Sequence, residues 1–190
     1  MVLAMMKKII TTRNALLEDA KRIQEIYMPY ILETAYNLDE FLPTVEALQE
    51  RIYNASPNSP FLVAEYDNEV VGFIYASKFY DYGFKDACLL SIYVCNKTEA
   101  YGVGKLMYAH LEALLISNGT HYIISSIVED NQRSIKFRQK QNFNEFVRFP
   151  QFAIKHQCFY NIVWMAKCLE PALEYIYLPS LINEQVVLIS

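Results

Sequence analysis

Glycine is scarce in this 190-residue chain, with five residues where average usage predicts about 13. Cysteine and histidine are thin as well. The four cysteines (Cys88, Cys95, Cys158, Cys168) form no C-x-x-C pair, and the three histidines (His110, His121, His156) share no metal-ligand spacing with them. The expectation is a cytoplasmic protein with reduced thiols and no metal. Charge of one sign is lacking too: 17 basic and 21 acidic residues give a net charge of −4. That balance offers no basic footprint for a nucleic acid. No apolar run reaches the ~18 residues a membrane-spanning helix needs. Met1 to Lys8 places its apolar residues before its basic ones, the reverse of a secretory signal. Met5 and Met6 offer alternative starts, with Met1 to Ala4 as an upstream extension.

What is present suits one folded unit. The hydrophobic share is 53% and includes 15 tyrosines. Setting tyrosine aside and counting glycine leaves roughly 48%, an ordinary globular share. Residues 1–169 read as a single domain. Residues 170–190 form an apolar tail, ending Val186-Val187-Leu188-Ile189, expected to pack on the domain or on a partner subunit.

The β-branched stretch Lys8 to Arg13 predicts a first strand. Leu16, Ala20, Ile23, Tyr27 and Tyr30 follow helical spacing, with Pro29 expected to kink or end that helix. A second helix opens after Thr44, a suitable N-cap, with Val45, Leu48 and Ile52 inward. Phe61 to Tyr66 and Val70 to Ser77 flank Asp67-Asn68 as a hairpin. A polar and aromatic loop, Phe79 to Asp86, precedes a strand over Cys88 to Cys95. A long helix from Gly102 carries Leu106, His110/Leu111, Leu114 and Leu115 on one side and stops at Asn118-Gly119. A strand (His121 to Val128), a short helix (Asn131 to Gln141) and two closing strands (Glu145 to Ile154, Cys158 to Leu169) complete the order β-α-α-β-β-β-α-β-α-β-β.

In a chain so sparing of glycine, Gly102 and Gly104 stand two residues apart between a strand and a helix. The first turn of a helix offers unpaired N–H groups and the positive end of its dipole. Glycine lets the backbone approach a pyrophosphate without a Cβ in the way. Taken alone, G-x-G is a weak signal. It gains weight from the blocks around it: Leu17-Glu18-Asp19-Ala20, Ile26-Tyr27, Pro60 to Glu65, Glu69 to Gly72, Ser91-Ile92-Tyr93-Val94, Asn131-x-x-Ser134-Ile135 and Asn142-Phe143.

In the order and spacing of those blocks, from about Ile9 to Leu169, the sequence resembles the GNAT acyltransferases, in particular the phosphinothricin/methionine sulfoximine acetyltransferase-like branch. The resemblance implies an α/β (α+β) fold. Its mixed, mostly antiparallel seven-stranded sheet splays in a V and is flanked by about four helices. It implies transfer of an acetyl group from acetyl-CoA, as cosubstrate, to the primary amine of a small molecule. Homodimers are frequent among such proteins, so a homodimer is expected. By resemblance, Ile92, Tyr93 and Val94 hold the pantetheine. Backbone N–H groups of Tyr101, Gly102, Val103, Gly104, Lys105 and Leu106 hold the pyrophosphate. Asn131 hydrogen-bonds the cofactor, with Ser134 close by.

The chain departs from the branch pattern at several positions. Glu99 and Tyr101 stand where the phosphate loop commonly has Gln/Arg and Arg. Leu89 replaces the usual catalytic Glu, and Arg138 the usual His or Tyr. Arg138 is no general acid at neutral pH, though its charge suits a departing thiolate. Asn161 replaces an Asp, and Asn142 a Gly. Alternation places Tyr93 on the face of Leu89, where it either acts through a water, donates a proton or is simply packed. Glu33 is either a base through water or a solvated loop carboxylate. Glu129 and Asp130 offer further carboxylates, or cap the next helix. His110 and His121 read as structural, while His156 sits at the rim. The acceptor pocket is expected from Tyr27, Tyr30, Thr34, Tyr36, Tyr80 and Tyr82, with Asp81 and Asp86 favouring a larger or cationic amine, unless the tyrosine-rich loop packs at a subunit interface instead. An alternative reading is a catalytically impaired GNAT domain that binds acyl-CoA as a ligand or sensor.

Overall fold

The first strand, β1 (Ile10–Asn14), pairs antiparallel with β2 (Phe61–Tyr66). The computed structural model describes residues 9–79, 86–95 and 102–169. Between β1 and β2 run a single 3-10 turn (Leu17–Asp19), α1 (Ala20–Leu32) and α2 (Val45–Tyr53). Pro29 lies inside α1 and does not end it. Only one further turn follows, and that turn is held by Glu33 N–H donating to Pro29 O at 3.0 Å and by burial of Ile31. Thr44 caps α2 as expected, its Oγ1 accepting from Ala47 N–H at 3.2 Å.

Asp67 and Asn68 both adopt positive φ, 57° and 62°. Two left-handed residues make the tight turn that matches strand twist, so β2 runs straight into β3 (Glu69–Lys78). β4 (Ala87–Val94) follows antiparallel to β3. α3 (Val103–Ser117) crosses over to β5 (Tyr122–Val128), and α4 (Gln132–Lys140) leads to the hairpin of β6 (Asn144–Lys155) and β7 (Cys158–Cys168). The sheet order is β1-β2-β3-β4-β5-β7-β6. All its pairings are antiparallel except β4 with β5.

One apolar cluster forms between the sheet and α3, a second between the sheet and α1–α2. In α3 the buried stripe is Val103, Met107, Leu111 and Leu115, with Tyr108 beside it. Of the expected side, Leu111 and Leu115 are buried and Leu114 packs against the core, while Leu106 is 40% exposed. The four-residue repeat from Val103 is the one that meets the sheet. Among the described residues no helix is long and apolar enough to cross a membrane. The 170–190 tail lies outside the described residues.

Candidate functional site

The parallel pairing of β4 with β5 lasts three positions, Ala87 to Leu89 against Tyr122 to Ile124. Beyond Leu89 the two strands separate, and the gap opens. Backbone groups alternate sides along a strand. Cys95 N–H donates to Val71 O at 2.7 Å, which turns residue 95 toward β3. Leu90 O accepts from Ser125 Oγ on β5 at 3.3 Å, which turns residue 90 toward the gap. By that alternation Leu90, Ile92 and Val94 present their peptide groups to the gap. Tyr93, expected beside them, turns its peptide toward β3. At Val94 the gap-facing groups already have a partner. Tyr30 Oη donates to Val94 O at 2.7 Å and accepts from Val94 N–H at 3.4 Å.

The gap opens into a cavity of about 830 Å³. One end is the N-terminus of α3, where Gly102, Gly104 and Lys105 line the wall. Gly102 is the N-cap and sits at φ 77°, in the left-handed region. Its glycine is a matter of backbone conformation, because a Cβ there would meet nothing within 4 Å. Gly104 is helical, and its Cβ would lie 3.5 Å from Ile92 Cδ1, an ordinary contact. Tyr101 and Glu99 lie outside the described residues, and Leu106 does not line the cavity.

The other wall is α4. Asn131 caps it, its Oδ1 accepting from Ser134 N–H at 3.0 Å, and both residues line the cavity. Arg133, Lys136 and Lys140 line it as well, spaced for one helical face. These cations escaped the sequence reading, although the helix Gln132-Arg-Ser-Ile-Lys-Phe-Arg-Gln-Lys carries the spacing openly. Arg138 is the buried one, 2% exposed. Its Nε donates to Ser125 Oγ at 2.8 Å, and Nη1 has no hydrogen-bond partner among the described residues. Burial pulls the pKa of this guanidinium down to about 10.

On the sheet's other face, Asn37 organises the tyrosines. Its Nδ2 donates to Tyr27 Oη at 2.8 Å and to Tyr93 Oη at 2.9 Å. Tyr27 Oη in turn donates to Asp39 Oδ2 at 3.2 Å. Tyr93 packs against Tyr27, Tyr30 and Phe73 with ring centroids 4.5, 5.1 and 5.0 Å away. Burial, and then the neighbouring Tyr75, push the Tyr93 pKa up. That is the opposite of what a base requires. Tyr27 is 1% exposed and is not among the described residues that line the cavity.

Tyr30, Glu33, Thr34 and Tyr36 do line the cavity. Glu33 is the single carboxylate among its described lining residues. Glu129 is committed elsewhere, to an ion pair with Arg148 and a bond from Asn161 Nδ2 at 2.6 Å. His110 is structural, its Nδ1 lying 2.8 Å from Thr12 Oγ1. His156 occupies the β6–β7 turn at φ 49°. Tyr80 and Tyr82 lie outside the described residues. Among the described residues no cluster of metal-ligating side chains occurs.

Comparison with known proteins meets this geometry. The model of the acetyltransferase (GNAT) family matches residues 20–143. The chain belongs to that family. The match begins at α1 and runs through β4, the glycine turn, α3 and α4, so it contains the splayed strand and both helical walls. A curated relative, the phosphinothricin N-acetyltransferase of Streptomyces coelicolor, is 23% identical over 164 residues, covering 82% of this chain and 94% of that protein. Among solved structures, ribosomal-protein-alanine N-acetyltransferase from Brucella melitensis is 26% identical with a TM-score of 0.79, over 83% of this chain and 99% of that one. A GNAT phosphinothricin acetyltransferase from Sinorhizobium meliloti, solved in complex with acetyl-CoA, is 24% identical with a TM-score of 0.77. It covers 84% of this chain and 88% of that one. The family's fold, expected from the sequence, is the fold observed.

Proposed function

We propose that this protein transfers an acetyl group from acetyl-CoA to the primary amine of a small molecule. One observation carries the reading: a single cavity joins the glycine turn of α3, the gap-facing peptides of Ile92 and Val94, and the cations of α4. The pyrophosphate suits the open N–H groups of Val103, Gly104 and Lys105, since a helix start favours an anion. Arg133, Lys136 and Lys140 suit the remaining phosphate charge. The two pantetheine amides suit Ile92 and Val94, with Tyr30 releasing Val94 as they arrive. Asn131 and Ser134 stand beside this path.

The acceptor enters between α1 and the sheet, against Tyr30, Thr34 and Tyr36. It arrives as an ammonium and must lose a proton before attack. We assign that task to Glu33, acting through a water, because it is the carboxylate among the described lining residues. Phosphinothricin is not singled out as the substrate, because identity to proteins so named is low and the 80–85 segment lies outside the described residues. The reading includes a cytoplasmic homodimer. Exposed Phe146 and Phe152 on the β6–β7 hairpin, joined through Trp164 and Phe149, supply an apolar face suited to a second copy.

Thiol release from acetyl-CoA across a panel of amines tests the reading. Turnover is expected with at least one small amine. Glu33→Gln should lower kcat by about 10²-fold or more while leaving acetyl-CoA affinity unchanged. Binding of acetyl-CoA without turnover on any amine would favour the ligand-sensor alternative.

A further inference from the structure

Arg138 is a buried cation with no anionic partner among the described residues. It is 2% exposed, and its nearest flat neighbours are rings, with Cζ 5.4 Å from the Phe137 centroid and 5.7 Å from that of Phe143. Nε is used by Ser125, while Nη1 meets no hydrogen-bond partner among the described residues. A buried charge is normally paired. Arg138 also lines the cavity. An anion arriving there would complete it.

The position of Arg138 says which anion. Ser125 is the first β5 residue beyond the last parallel pair, Leu89 with Ile124, and its hydroxyl reaches Leu90 O. Arg138 therefore stands at the floor of the V, where β4 and β5 part. The helix start that suits phosphate is at the opposite end, beyond Val94. Leu90 to Val94 spans about 13 Å of strand. A CoA arm anchored by its phosphates at α3 brings its sulfur end, not a phosphate, to the floor.

Resting on the acyl-CoA reading above, we propose that Arg138 is a catalytic residue that holds the CoA thiolate as it leaves. The amine nitrogen forms a bond to the thioester carbonyl carbon, the C–S bond breaks, and its electron pair stays on sulfur. The ammonium proton has already left through water to Glu33; the second proton, shed by the nitrogen as the amide forms, passes to solvent, and the thiolate later takes a proton from solvent. Arg138 stays charged throughout and supplies a fixed cation where negative charge develops. The residue thus does by charge what a proton donor would do by transfer.

Coenzyme A itself is the probe, so the readout is not turnover. The ultraviolet absorbance of the thiolate is followed against pH for CoA free and bound, with binding established by calorimetry. Bound to the unaltered protein, the sulfur should ionise about one pH unit or more lower than in free CoA. Arg138→Gln should abolish the shift, and Arg138→Lys should retain part of it. No binding of CoA would defeat the acyl-CoA reading itself. Binding with an unshifted sulfur would overturn this proposal alone, and so would a shift that survives in Arg138→Gln. A fall in affinity of Arg138→Gln for succinyl-CoA, with no sulfur shift in the unaltered protein, would assign the cation to an acyl carboxylate and also overturn it. If the Gln variant fails to fold, the unaltered protein and Arg138→Lys still decide.

Discussion

Position 102 requires glycine for its conformation, whereas position 104 leaves room for a methyl group. A Cβ at residue 102 would be held at φ 77°, and the left-handed region costs an L-residue roughly 1–2 kcal/mol. Gly102→Ala should therefore lower stability by about 1 kcal/mol, measured by thermal or urea unfolding. Gly104→Ala meets only ordinary contacts and should leave stability unchanged or raise it by about 0.5–1 kcal/mol. The pair was visible in the sequence, but the difference between its members was not, because φ is a property of the fold. Asp19 gives a second residue-scale prediction. Burial alone would raise its pKa, but Arg13 and the Leu16 N–H outweigh burial and hold the carboxylate below its ordinary value. A depressed folded pKa stabilises the protein above the unfolded value and loses that stabilisation as pH falls through the folded one. Asp19→Asn should cost about 1–3 kcal/mol at pH 7. The gap between variant and unaltered protein should close below about pH 4, followed by urea unfolding across pH. Arg138 was legible by position in the chain; its missing partner was not, since only packing shows which donors are satisfied.

At the scale of elements, sequence periodicity located nearly every strand and helix. The Asp67-Asn68 turn, the Thr44 cap and the Gly119 stop at φ 74° all sit where turn chemistry puts them. Local signals failed where tertiary contact decides. Pro29 signals a break, but one remaining turn with Ile31 buried outweighs the missing N–H. In α3 the buried repeat starts at Val103, the first helical residue, so it keeps the expected Leu111 and Leu115 but leaves Leu106 outside. The link between α1 and β4 was likewise invisible in sequence. Tyr30 reaches 64 residues along the chain to occupy the Val94 peptide. Tyr30→Phe should cost about 1 kcal/mol of stability through that bond, and it should tighten acetyl-CoA binding several-fold by freeing Val94. Weaker binding instead would mean that the hydroxyl contacts the ligand directly. Lys155 ties the β6–β7 turn to the same region, its Nζ donating to Ile31 O at 2.6 Å and Asn37 O at 2.5 Å. That one cation thus anchors both the end of α1 and the asparagine that holds Tyr27 and Tyr93.

For the molecule as a whole, net charge and local field point in opposite directions. The chain carries −4 overall, yet the described cavity wall carries Lys105, Arg133, Lys136, Arg138 and Lys140 against Glu33. Composition averages this away. The fold gathers the cations by setting α4 beside the start of α3 and holding both against the open side of β4. Phosphates and a thiolate at opposite ends of one channel would use that field along its length. The most direct test of this account is calorimetric titration of the purified protein with acetyl-CoA, beside Gly104→Glu. The account predicts saturable one-to-one binding that the variant loses, because a carboxylate would project from the helix start into the cavity. No binding to the unaltered protein near millimolar acetyl-CoA, or equal binding by the variant, would contradict it.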